Sequence, residues 1–177
     1  MAEPRRFREV VLPHLADALA LARWLTGNMH DAEDVVQDAC VRAIAGMDSY
    51  TGGSAKAWVL TIVRNTAFTW LTKNRRRDLV LIGDLADGEV EWIEAESAGR
   101  ANAPTPETNL IAKVDAARLE AAIAALPHVF REVLVLHDVN DMAYREIATM
   151  LSVPIGTVMS RLSRARRLLA SAIRGAS

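Results

Sequence analysis

The chain has 177 residues, 51% of them hydrophobic and 24% charged, with a formal net charge of −1. That composition excludes a disordered or low-complexity chain and fits one ordinary domain or two small ones. Nine glycines and six prolines are too few for a turn-rich β-sandwich, so an all-α fold is expected.

The charge is unevenly spread. Residues 1–77 carry 11 Lys and Arg against 8 Asp and Glu, residues 78–112 carry 1 against 8, and residues 113–177 carry 9 against 6. Two mildly basic ends therefore flank an acidic middle. The opening "MAEPRRFREVVLPHL" lacks the apolar core of a secretory leader, and no run approaches the roughly 18 apolar residues of a membrane span. The expected location is the cytoplasm, with no membrane segment.

In chain order, residues 7–26 form the first predicted helix, with Val11, Leu15, Ala18, Leu19, Ala22 and Leu25 as its apolar positions and Gly27 as its stop. The second is capped by Asp31. It places Ala32, Val35, Val36, Ala39, Cys40 and Ala43 on one buried stripe and leaves Asp34, Gln37, Asp38 and Arg42 outside. Cys40 has no second cysteine to pair with and reads as a core thiol. After the loop "DSYTGGS" a long helix over 54–77 is expected to bury Trp58, Ile62, Val63, Ala67, Trp70 and Leu71, with Thr61, Arg64, Asn65 and Thr72 opposite.

The stretch from Asp78 to Asn109 holds Gly83, Gly88, Gly99, Pro104 and Pro106 without a sustained apolar period, and reads as a linker. Four more helices follow: "AKVDAARLEAAIAAL", closed by Pro127, then "HVFREVLVLHDV", "YREIATML" and "IGTVMSRLSRARRLLASAI". The last two, separated by "SVP", form a helix-turn-helix pattern. In the final helix Val158, Leu162, Ala165 and Leu169 keep core spacing, so Thr157, Ser160, Arg161 and Arg164 point away. Such a face suits DNA, because a major groove admits a helix and arginine can grip guanine bidentately. His14, His30, His128 and His137 are too dispersed to suggest a metal site with Cys40, and "YTGGSAK" lacks the spacing of a phosphate-binding loop. No cofactor and no catalytic constellation is read, so an enzyme is not expected. A helix-turn-helix alone also fits a dimeric repressor.

Taken together and in order, "DAEDVVQDACVRA", "WVLTIVRN" and "LPHVFREVLVLHDVNDMAYREIATMLSVPIGTVMSRLSRAR" resemble the group IV, or extracytoplasmic-function, sigma factors of bacterial RNA polymerase. The resemblance implies two small helical domains. Sigma region 2 would span residues 6–77 and sigma region 4 residues 113–173, with the acidic segment 78–112 threading near the RNA path of the polymerase. It further implies a transcription initiation factor whose partners are core RNA polymerase, promoter DNA and an anti-sigma factor.

The same resemblance assigns residues. Asp34, Gln37 and Asp38 match the helix that meets a coiled coil of the largest polymerase subunit. Tyr50, Ser54, Lys56, Arg64 and Asn65 match positions that capture the single-stranded downstream promoter element. Thr157, Met159, Ser160, Arg161, Ser163 and Arg164 match positions that read the duplex upstream element. Two residues depart from the family pattern: Lys56 stands where a bulky apolar residue commonly precedes "AW", and Met159 where Lys or Arg is common.

Overall fold

The computed structural model describes residues 3–74 and 116–175, all of whose regular structure is helical. The acidic segment 78–112 lies outside the described residues. Helix α1 (Glu3–Val10) and α2 (Leu15–Thr26) are joined by a 3₁₀ turn at Leu12–His14, so the single helix expected over 7–26 is two. The cause is Pro13, which has no amide proton and disrupts the preceding turn of an α-helix. Val11 is buried at the break, and α2 ends at Gly27, whose φ of 86° puts it in the left-handed region.

Helix α3 (Met29–Ala45) starts from Asn28 rather than from Asp31. Asn28 has the extended backbone of a cap and its side chain accepts the Asp31 N–H at 2.9 Å, which places Asp31 inside the first turn. Ala32, Val35, Ala39 and Ala43 are buried as expected, while Val36 and Cys40 are half-buried beside them. After a 3₁₀ turn at Met47–Ser49, α4 (Ala55–Asn74) crosses α2 and α3. It buries Val59, Leu60, Val63, Thr66, Ala67 and Leu71, with Trp58, Ile62 and Trp70 only half-covered. Positions 75–77 of that predicted helix lie outside the described residues.

The second half comprises α5 (116–124), α6 (His128–Leu134) running into one π-helical turn at Val135–Val139, α7 (Tyr144–Leu151) and α8 (Ile155–Gly175). Helices α6 and α7 both pack on α8 around Phe130, Val133, Leu136, Met142, Ile147, Val158, Leu162 and Ala165. The predicted helix boundaries at 128, 139, 144, 151 and 155 match.

The two halves dock. Helix α2 packs against α6 and the π turn, and α4 against α7. At this junction the fully buried Asn140 donates from Nδ2 to the Asp17 carbonyl at 3.0 Å, and Arg23 pairs with Glu120 at 2.8 Å on the exposed rim.

The cap at Asn28 supplies one of the amide partners that a helix start otherwise lacks. Asn28→Ala is expected to lower unfolding free energy by about 1 kcal/mol, read as a reduced midpoint with an unchanged slope in urea denaturation.

Candidate nucleic-acid and polymerase interface

The helix-turn-helix is set by two local devices. Glu146 accepts the Ala143 N–H at 3.0 Å and so satisfies an amide just before α7. At the other end Ser152 adopts φ 54°, and the Val153 N–H reaches back to the Ala148 carbonyl at 3.1 Å, a left-handed helix stop made without glycine. Pro154 then opens α8, its carbonyl accepting the N–H groups of Thr157 and Val158.

Along α8, Val158, Leu162 and Ala165 are buried and Leu169 is half-buried, which fixes the outward side. Ser163 and Arg164 are exposed on it, whereas Thr157, Met159, Ser160 and Arg161 are half-buried. Ser160 donates to the Thr157 carbonyl at 3.1 Å, and the Arg164 guanidinium lies 5.4 Å from the Phe130 ring centroid. Stacking of this kind restrains an arginine without neutralising it. Arg166 differs: it makes two hydrogen bonds to Asp138, at 3.2 and 2.6 Å, which push its pKa further up. The helix therefore carries both neutralised and free cations.

On α3, Asp34, Gln37 and Asp38 are exposed, as the stripe of buried residues opposite requires. Val41, 66% exposed, and Ile44 extend the open surface toward the C-terminal end of α3. Sequence reasoning passed over these two apolar residues. Their signal was phase, since neither falls on the spacing of Ala32, Val35, Ala39 and Ala43.

Most polar groups of the loop before α4 are engaged within the chain. Tyr50 donates its hydroxyl to the Gly53 carbonyl at 2.9 Å, holds its ring 5.4 Å from that of Trp58, and accepts Arg6 on its own carbonyl at 2.7 Å. Ser54 Oγ accepts the Ala57 N–H at 3.2 Å at the start of α4. Lys56 Nζ pairs with Asp17 at 3.2 Å. Asn65 is exposed, and its side-chain oxygen accepts a long 3.4 Å contact from Arg64.

Arg64 is placed differently from the expectation of a free outer face. Its Nε donates to Glu132 on α6 at 2.5 Å, and its guanidinium lies 4.6 Å from the Phe68 ring centroid. Glu132 is only 4% exposed. The His128 and Phe68 rings meet edge-to-face with centroids 4.9 Å apart, so α6 brings both a carboxylate and an aromatic ring to α4. Beside this contact an open cleft of about 710 Å³ is lined by Trp58, Thr61, Arg64 and Asn65 on one wall and Arg145 and Thr149 on the other. Neither Glu132 nor His128 was singled out from sequence. The available signal was a carboxylate set inside the apolar run "VFREVLVL", where a charge needs a partner.

Among the described residues no group of three His, Cys, Asp or Glu side chains could hold a metal ion, and no helix is long and apolar enough to cross a membrane. Burial raises the pKa of the Cys40 thiol, which disfavours the reactive thiolate.

Residues 10–77 match the family model for sigma-70 region 2, and residues 116–169 match that for sigma-70 region 4. The chain belongs to the sigma-70 family. Within it several relatives are named as extracytoplasmic-function factors: SigE of Mycolicibacterium smegmatis is 34% identical over 91% of this chain and 59% of its own length. EcfG of Rhodopseudomonas palustris is 31% identical over 93% of this chain and 83% of its own. The sigma factor RpoE from Bartonella quintana, solved with the anti-sigma factor NepR, superposes with a TM-score of 0.69 at 28% identity, covering 95% of this chain and 96% of that one. This group IV sigma factor is thus a transcription initiation factor, working with core RNA polymerase on promoter DNA. The two-region match disfavours the dimeric repressor.

His128 sets a pH dependence at the junction. Its burial lowers its pKa below 6.5, Glu132 opposes that shift, and Arg131 and Arg64 add to it. Its Nε2 has no partner among the described residues. The imidazole is thus held neutral in the fold, while an unfolded chain takes up the proton nearer 6.5, so this stability is complete above that pH and is lost as pH falls below it. The wild type should lose more stability between pH 7.5 and 5.5 than His128→Leu does, compared by urea denaturation at both pH values.

Proposed function

We propose that the two halves of the chain divide initiation between them. Residues 6–77 bind core polymerase through Asp34, Gln37 and Asp38 and capture the single-stranded downstream element with Tyr50, Ser54, Lys56, Arg64 and Asn65. Residues 113–173 read the duplex upstream element through Thr157, Met159, Ser160, Arg161, Ser163 and Arg164, and residues 78–112 connect the two. The observation that carries this reading is one chain presenting an exposed acidic stripe on α3 and an exposed polar, arginine-bearing face on α8. An acidic stripe suits a basic helical partner, since complementary charge steers association and orients it.

The chain supplies binding energy and the polymerase supplies the chemistry, so the protein is not itself an enzyme. Its place of work is then that of the polymerase, the cytoplasm. A partner of the anti-sigma class is part of this proposal, supported by the similarity to a sigma factor solved with one. In run-off transcription the chain should direct core polymerase to specific start sites and bind duplex promoter weakly by itself. Tight palindrome-specific binding without polymerase would overturn this reading in favour of a repressor.

Two substitutions locate the surfaces. Asp34→Lys with Asp38→Lys should change fold stability by no more than about 0.5 kcal/mol per site, as exposed changes do, yet weaken holoenzyme assembly at moderate salt. Wild-type affinity in that double variant would show that the polymerase is bound elsewhere. Arg164→Ala should cost roughly 1–3 kcal/mol and relax preference at one upstream base if the arginine reads that base. Competition transcription between promoters differing at single upstream positions measures it, and uniform weakening would instead make Arg164 a phosphate contact.

A further inference from the structure

The loop between the 3₁₀ turn and α4 carries two glycines in its middle, Gly52 at φ 110° and Gly53 at φ 88°, with open space around both. Glycine admits many backbone conformations, so the shape of this loop depends on what holds it. Most of the hold is local: Ser49 donates to the Gly46 carbonyl at 2.6 Å, the Tyr50 hydroxyl to the Gly53 carbonyl at 2.9 Å, and Ser54 accepts the Ala57 N–H at 3.2 Å. One hold comes from far along the chain. Arg6 of α1 donates from Nη2 to the Tyr50 carbonyl at 2.7 Å, across 44 positions of sequence. That carbonyl belongs to the planar peptide joining Tyr50 to Thr51, so the guanidinium sets the direction in which the chain leaves toward the two glycines. Helix α1 is itself well seated: Phe7 packs half-buried against the core, Val11 is buried at the Pro13 break, and the helix touches α3 and the turn at Met47–Ser49. Arg6 nevertheless precedes the sigma-70 region 2 match, which begins at residue 10.

We infer that Arg6 is a positioning residue for base selection at the downstream element: from a helix that begins before the matched region, it holds the Tyr50–Thr51 peptide, and with it the loop, in the shape that selects a base. The inference rests on the proposed strand-capturing role of Tyr50, Ser54 and Asn65. Without the tether the loop samples other shapes, and only the fraction in the held shape can select. Affinity for the preferred base falls in proportion to that fraction. Contacts to phosphate and sugar need no particular loop shape and carry no sequence information, so they persist. Arg6 therefore acts on discrimination between bases and leaves the sequence-independent part of binding alone. A guanidinium that touched a phosphate directly would do the opposite, strengthening every sequence alike and steepening the salt dependence.

The test uses holoenzyme assembled from the full chain and core polymerase. The probes are fork-junction templates whose unpaired strand carries the downstream element of a promoter that the wild type transcribes, changed one base at a time. Fluorescence anisotropy gives the affinity for each template at several salt concentrations. Arg6→Ala should weaken binding of the preferred template about tenfold, as when the held loop falls from nearly all of the population to a tenth. The disfavoured templates and the salt slope should not change. Arg6→Lys keeps a cationic donor and should restore most of the lost discrimination. Arg5→Ala removes the same charge from the next, exposed position of α1 and should discriminate as the wild type does. Urea denaturation shows whether each variant is folded. Equal weakening of all templates by Arg6→Ala, with a salt slope shallower by about 0.7, as for one lost contact to a single strand, would overturn the positioning role and make Arg6 a phosphate contact. If Asn65→Ala abolishes discrimination while Arg6→Ala leaves it intact, the tether alone is refuted. If neither substitution alters discrimination, the strand-capturing role of the loop falls, and the inference falls with it.

Discussion

The pairing of Arg64 with Glu132 is the constraint around which the two halves are arranged. It reaches across 68 positions of sequence and joins a carboxylate that is 4% exposed to a guanidinium that is 22% exposed. Removing two charges from water costs about as much as their attraction returns, so such a pair adds little net stability and its value lies in specifying one mutual arrangement. A docking of α6 that buried Glu132 away from Arg64 would leave that carboxylate without its partner. Phe68 and His128 pack around the pair, so the arrangement is specified by shape as well as by charge.

Helix α2 makes that arrangement possible because it is in contact on several sides at once. Leu21, Ala22 and Leu25 are buried, and the helix touches α3, α4, α6 and the π turn. Small side chains permit the close approach: Ala18, Ala22, Ala32, Ala39, Ala43 and Ala67 are all almost wholly buried where the first helices cross. Burial of apolar area then supplies most of the stabilisation, and the polar contacts at the junction, such as Asn140 with the Asp17 carbonyl, choose which face is presented.

The electrostatics of the chain suit a factor that binds DNA as part of a larger assembly. Both ends are mildly basic and the total charge is −1, whereas sequence-independent affinity for duplex DNA grows with the number of phosphates neutralised. On α8 the supply is reduced further, since Arg166 is held by Asp138. Specificity then rests on few contacts, each of which counts only when polymerase supplies the remaining binding energy.

By itself the sequence determined the helical class, the extent of the helical run over 128–139, the boundaries of α7, the start of α8, and the exposure of Asp34, Gln37 and Asp38. All of these follow from local rules: apolar spacing sets a face, and a proline or a cap sets an end. Such rules also misplaced two ends. Pro13 broke a helix whose apolar period continued past it, and Asn28 displaced Asp31 as a cap because its backbone, not only its side chain, was suited. Only the tertiary structure decided that Arg64 faces Glu132, that Lys56 is paired with Asp17, and that Leu60 is buried on a helix contacted from more than one side. Periodicity reports which residues share a face of one helix. Which other helix covers that face depends on contacts between segments far apart in the chain, and those carry no local period.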